Sequence, residues 1–155
     1  MPAETVRSAS VTVNMQSFAH LARDMKRAAP LMYKEIHHGL KDIGGIVADE
    51  ARKIEICGAL SKNAAYAEKI AKSIKVRARG FTVSVVASGR LAELEEMGKK
   101  GTPGRWRHPL FGDRLHWYDQ QSRPFLYPAL KSKAELIDLA VWTLVGTALD
   151  YALEL

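Results

Sequence analysis

Five histidines, one cysteine and a cluster of glutamates are the residues of this chain that catalytic or metal chemistry would recruit first. His37 and His38 are neighbours, and neighbours on a helix point about 100° apart, so they cannot both face one metal. His20, His108 and His116 stand far apart, with no H-x-x-x-H or H-E-x-x-H spacing among them. Solvated or structural imidazoles are what that spacing predicts. Cys57 is alone and has no surround of a catalytic type, so a packed or helix-end thiol is the default. Glu93, Glu95 and Glu96 read as a surface acidic turn, because carboxylates in acid–base work need burial or a partner. Gly98-Lys99-Lys100-Gly101-Thr102 imitates a phosphate loop and fails at both diagnostic places. Glu93 stands where the first glycine is required, and Lys100 where a magnesium-holding Ser or Thr belongs. No G-x-S-x-G elbow is present. The expectation is a non-enzymatic chain that needs no cofactor and no metal.

Two features with binding chemistry remain. Lys75, Arg77 and Arg79 alternate along a strand, so they project together and could meet phosphates or an acidic surface, or simply be solvated. Residues 98–119 mix Lys99, Lys100, Arg105 and Arg107 with Trp106, Phe111, Trp117 and Tyr118. Arg and Trp concentrate at the centres of protein interfaces. Basic and aromatic residues together also suit single-stranded nucleic acid. Alternatively, the aromatics cover the core beneath a long loop.

These residues must be positioned by elements that the hydrophobic pattern predicts. ASVTV, 9–13, reads as a short strand, and Asn14 occupies an N-cap position. Phe18, Leu21, Met25 and Ala28 then form an amphipathic stripe that Pro30 kinks or restarts. Met32, Ile36, Leu40, Ile43, Val47, Ala51 and Ile54 form a stripe with eleven residues per three turns. Gly44-Gly45 inside it suggests a bend or a close approach by another segment, and Gly58 suits its end. Residues 61–72 read as a loop or short helix. Ile74, Val76, Ala78 and Phe81, Val83, Val85 alternate with polar residues about a turn at Arg79-Gly80. That predicts a 73–87 hairpin pairing 78 with 81, 76 with 83 and 74 with 85. LAELEEMG, 91–98, reads as a short helix closed by Gly98. Residues 99–128 are dense in Gly and Pro and read as a long loop that is functional or hides short strands, LHWYD (115–119) among them. Pro128 is placed to open the last helix. There Leu130, Ala134, Ile137, Val141, Leu144, Ala148, Tyr151 and Leu155 follow a strict heptad. Its partner is either the 32–54 helix or a neighbouring subunit.

The fold expected is therefore α+β. A long N-terminal helix kinked near Pro30 and a small antiparallel sheet built on the hairpin precede the loop, and a C-terminal helix packs on the N-terminal one. The 155 residues fit a single domain, 1–155, with 98–119 as an extended interaction loop. A hydrophobic share of 47% and a charged share of 26% exclude disordered and collagenous classes. No apolar run reaches the length of a membrane span, and the N-terminal residues do not read as a secretory signal. Charge is uneven: 14 basic and 8 acidic residues occupy 1–80, against 9 and 9 in 81–155. A basic half fits nucleic acid, an acidic partner or a solvated surface.

The order of pieces resembles the small head–tail joining or tail-completion proteins of long-tailed phages, the "gene product ten" type. The residues that carry the likeness are AEKIAKSIKVRARGFTVSVV (67–86), ELEEMG (93–98), GRWRHPLFGD (104–113) and above all SRPFLYPAL (122–130). The chain departs from that pattern where Lys99-Lys100 precede Thr102. In the Arg123, Pro124, Phe125, Pro128 box, Pro124 pre-extends Arg123, so that Phe125 and Leu126 can plug the core. The resemblance implies a virion structural protein forming a homo-oligomeric ring, six-fold where it meets the tail tube. It would sit in the neck between head-closure and tail-tube proteins, assemble in the host cytoplasm, and let DNA pass through its lumen. A head-to-tail ring needs two different complementary patches on each copy. Glu93, Glu95 and Glu96 against Lys99, Lys100, Arg105 and Arg107 of the next copy is the pairing expected, with Trp106, Phe111 and Trp117 beside it. The alternative is a basic nucleic-acid-binding protein using Lys75–Arg79 and the 98–119 loop.

Overall fold

Residues 8–13, 19–58, 64–99, 102–110 and 113–153 are described by the structure, a computed structural model. Asn14, Phe18, Lys100, Phe111 and Leu155 lie outside them. In chain order the elements are β1 (Ser8–Val13), α1 (Ala19–Ala28), α2 (Pro30–Gly58), α3 (Ala64–Ser73), β2 (Lys75–Arg79) and β3 (Thr82–Ser88). Next come α4 (Arg90–Met97), β4 (Gly98–Lys99), β5 (Thr102–Pro103), β6 (Arg105–Leu110), β7 (Asp113–Gln121), α5 (Leu126–Ser132) and α6 (Ala134–Leu153). The α+β architecture is the one expected: a long helix, small antiparallel sheets, and a C-terminal helix packed on the long one.

Helix α2 is the central beam. Its stripe buries Leu40, Ile43, Val47 and Ala51, while Met32, Ile36 and Ile54 at the ends are half-buried. Pro30 restarts the helix after a break at Ala29. It takes the first position of α2, where its missing N–H costs nothing. The amide of Tyr33 bonds the Ala29 carbonyl and that of Ala29 bonds Met25, so α1 and α2 meet almost without a gap.

One face of α2 carries a three-stranded antiparallel sheet in the order β1-β3-β2. Gly44 is the point of closest approach. A Cβ there would stand 2.6 Å from methyls of both Val76 and Val83. The hairpin and its buried face are as expected, but the register differs by two residues. Val76 pairs with Val85, Ala78 with Val83 and Arg79 with Thr82, so the turn is Gly80-Phe81. Gly80 has φ +59°, a conformation that suits glycine and would strain Arg79 as the first turn residue. A shift of two keeps every side chain on its own face.

Against the rest of α2 lie α3, α5 and α6. The heptad partner is thus the helix of the same chain. Ile137 is buried, and Leu130, Val141 and Leu144 pack against the same core. The last helix begins at Leu126, two residues before Pro128, and a turn at Lys133 divides it into α5 and α6. Phe125 and Leu126 are fully buried, as the box predicts.

The 98–119 segment, expected as an extended loop, is two hairpins within the described residues. β4 pairs with β5 and β6 with β7, and LHWYD falls inside β7. Gly104 sits at the turn between β5 and β6, and Pro109 at an irregularity of the β6–β7 pair.

Candidate functional site

The acidic turn is not at the surface, which corrects the expectation for two of its three residues. Glu95 is 4% exposed. Its Oε1 accepts from Gln120 Nε2 at 3.0 Å, and its Oε2 accepts the Arg123 amide at 3.3 Å and Nε at 3.4 Å. Glu96 reaches the start of α5. Its carboxylate accepts the N–H groups of Phe125 and Leu126 at 2.8 Å and Tyr127 at 2.9 Å. A helix start has four amides without intrahelical partners and a positive dipole end, and Glu96 meets both demands from another helix. Glu93 is half-buried. Reversing the charge at Glu95 or Glu96 would therefore damage the fold itself, and neither is free to meet a neighbouring copy.

Arg123 is the hub of this bracket. Besides Glu95, its guanidinium donates to the Gly58 carbonyl at the end of α2 and lies 3.8 Å from Glu55. Glu55 is 2% exposed, and its Oε1 accepts no hydrogen bond. Burial pushes its carboxyl up to about 7; Arg123 opposes that rise, while Glu95 and Glu96 add to it. One guanidinium compensates one carboxylate, and Glu95 holds the better geometry. Ser122 completes the bracket by donating its Oγ to the Leu94 carbonyl and its amide to Gly104. The Arg-Pro-Phe box is thus a structural clamp joining α2, α4, β7 and α5.

Beside the clamp lies an open cleft of about 560 Å³ between Gly58 and the β6–β7 hairpin. Three of its polar wall residues are already engaged: Arg123 and Gln120 bond Glu95, and Asp119 pairs with Arg107 at 3.4 Å. No three His, Cys, Asp or Glu side chains gather in metal-holding geometry among the described residues. No helix among them is long and apolar enough to cross a membrane.

The remaining candidates divide between the two faces of the β6–β7 hairpin. Cross-strand partners share a face, so Trp106, His108, Tyr118 and Gln120 lie on one and Arg105, Arg107, Trp117 and Asp119 on the other. The first is turned towards the body at Trp106 and Gln120, while Tyr118 on it is 55% exposed. Trp106 is 9% exposed, and its ring lies 5.0 Å from that of His108. The second faces outward: Arg105 and Arg107 are exposed, Trp117 is about half exposed, and Leu115 near the tip is 88% exposed. At the tip, the His116 imidazole and the Leu115 amide bond Asp113 and hold its carboxyl below the ordinary range. Lys99 lies in β4. Lys75, Arg77 and Arg79 are all exposed on the edge strand β2, with no carboxylate partner among the described residues.

Two groups escaped the sequence reading. Glu55 gives no local signal, because its burial follows from packing α2 against the clamp. The outer face of α6 did leave one: Leu136, Leu139, Trp142, Val145 and Leu149 fall outside the heptad, and all are exposed. A helix apolar all round asks for a second cover.

The chain matches no family model, no curated protein and no solved structure.

Proposed function

We propose that this chain is a structural virion protein of a long-tailed bacteriophage, forming a ring at the head–tail junction. The observation that supports this best is the distribution of its polar and apolar groups. Three charges that could have done chemistry, Glu95, Glu96 and Arg123, are locked in one clamp that holds the fold. Large apolar side chains meanwhile stand outside, Trp142 at 73% exposure and Leu115 at 88%. Such a chain acts by contact. The segments that resemble the tail-completion proteins include the clamp, since SRPFLYPAL contributes Arg123, Phe125 and Leu126. Negative-stain imaging of the purified protein, alone and mixed with tail tubes, tests the proposal. Rings, or caps seated on tube ends, are expected; a chain that stays monomeric and leaves tube ends bare would sink it.

A second reading has one observation in its favour. The exposed triplet on β2 suits phosphates, so a nucleic-acid-binding protein is the alternative. Tight DNA binding by the monomer that falls steeply with salt would favour it over the ring.

A further inference from the structure

Among the described residues, two surfaces are apolar and exposed. The first is the outer side of α6. Leu136, Leu139 and Trp142 stand there at 46%, 65% and 73% exposure, with Leu149 beside them. The opposite side of the same helix is packed on α2. A continuous strip of this kind marks an interaction site rather than ordinary scattered surface. The charged residues of α6 itself are all acidic, Glu135 and Asp138 at one end and Asp150 at the other, while Lys131 and Lys133 stand just before it. The second surface is the outward side of the β6–β7 hairpin, where Trp117 accompanies Arg105 and Arg107, with Leu115 exposed in the irregular stretch beyond. A two-stranded hairpin is marginal in water without a cover on one face.

We infer that these two surfaces bind each other between copies: the outer face of α6 of one subunit docks on the outward face of the β6–β7 hairpin of the next. Charge agrees. The acids along the apolar strip meet a hairpin face that carries Arg105 and Arg107, the latter also paired with Asp119 of the same face, and complementary charge selects the partner and its orientation. Pairing α6 with α6 of a second copy would set Glu135, Asp138 and Asp150 against their own kind, so the self-symmetric dimer is disfavoured. Each subunit then carries both halves of a head-to-tail contact, the type of interface that closes rings. The inference rests on the ring reading and names its contact, which moves the acidic partner from the α4 turn to α6.

Cross-linking between two singly labelled forms of the full chain tests it. Both carry Cys57→Ser, which removes the exposed native thiol. One carries Thr143→Cys on the outer side of α6, the other Asp119→Cys on the outward side of the hairpin. Both sites are exposed, so the fold is expected to persist, and circular dichroism checks that it does. Treated with a short bismaleimide, the mixture should give roughly a hundred-fold more mixed cross-link than unassociated chains, because docking raises the effective concentration from µM towards mM. Adding Trp142→Glu to the first form should abolish it. Oligomers seen by native mass spectrometry with no mixed cross-link, or with Thr143→Cys linked only to itself, overturn the contact and leave the ring standing. Monomers throughout, with no cross-link, overturn both.

Discussion

Glu96 on α4 and Glu55 on α2 differ in role, though both are carboxylates in contact with the clamp. Glu96 meets three amides and a helix dipole, so its charge is compensated where it stands. Replacing it with Ala should cost about 2 kcal/mol, since it orphans the start of α5. Glu93→Ala, whose side chain caps nothing, should cost under about 0.5 kcal/mol. Chemical denaturation of the two variants makes the comparison. Glu55 is the opposite case, a buried acid whose nearest cation is shared. The unfolded chain loses this proton near 4.5, and the folded chain keeps it until about 7. Stability from the protonated form is therefore complete below 4.5 and is lost as pH rises through 7. Glu55→Gln has no such proton to lose. It should match the wild type at pH 4 and exceed it at pH 8, by on the order of 3 kcal/mol. Denaturant midpoints at the two pH values read the difference, and equal curves at pH 8 would count against a buried acid.

At the scale of elements, α2 is held against the sheet by an absence. Gly44 lacks the Cβ that would strike Val76 and Val83, whereas a Cβ on the adjacent Gly45 would meet nothing within 4 Å. Substitution should separate the two. Gly45→Ala should stabilise the protein by up to about 1 kcal/mol, the gain in helix propensity. Gly44→Ala should destabilise it by about 1–2 kcal/mol, because valine methyls in a packed core cannot swing aside. Thermal melts of both variants decide it. The β6–β7 hairpin is the weakest element by the same logic of cover, being attached through Trp106 and Gln120 and open on its other face. Its amides should exchange faster than those of α2 in the free monomer and gain protection on assembly, as hydrogen exchange would show.

For the molecule as a whole, an exposed basic triplet and an exposed set of acids lie on different elements. The exposed Lys75, Arg77 and Arg79 lie on β2, the acids of the last 22 residues on α6 and beyond. If the β2 triplet meets phosphates, its replacement by alanines should lower the slope of log affinity for duplex DNA against log salt by about 3. In the ring reading the monomer binds DNA weakly, and the same variant still assembles. Filter binding across a salt series, alongside native mass spectrometry, separates these outcomes.

Periodicity in the sequence determined the α2 stripe, the α6 heptad, the strand at 9–13 and the inward face of the 74–87 hairpin. Each of these depends on neighbours a few residues apart, and repetition over several turns makes the pattern redundant. The hairpin register was less legible, since a shift by two preserves the faces and only the φ of Gly80 selects between them. The 98–119 strands were hidden because a two-stranded ribbon with one open face alternates too weakly to stand out from its turns. Tertiary structure alone decided the fate of the charges. Whether Glu95 or Glu55 is solvated depends on what packs over it from residues 28 and 68 positions away, as Arg123 does, and no local spacing encodes that. Burial is a property of the assembled core, so a carboxylate that reads as surface in one dimension can be a strut in three.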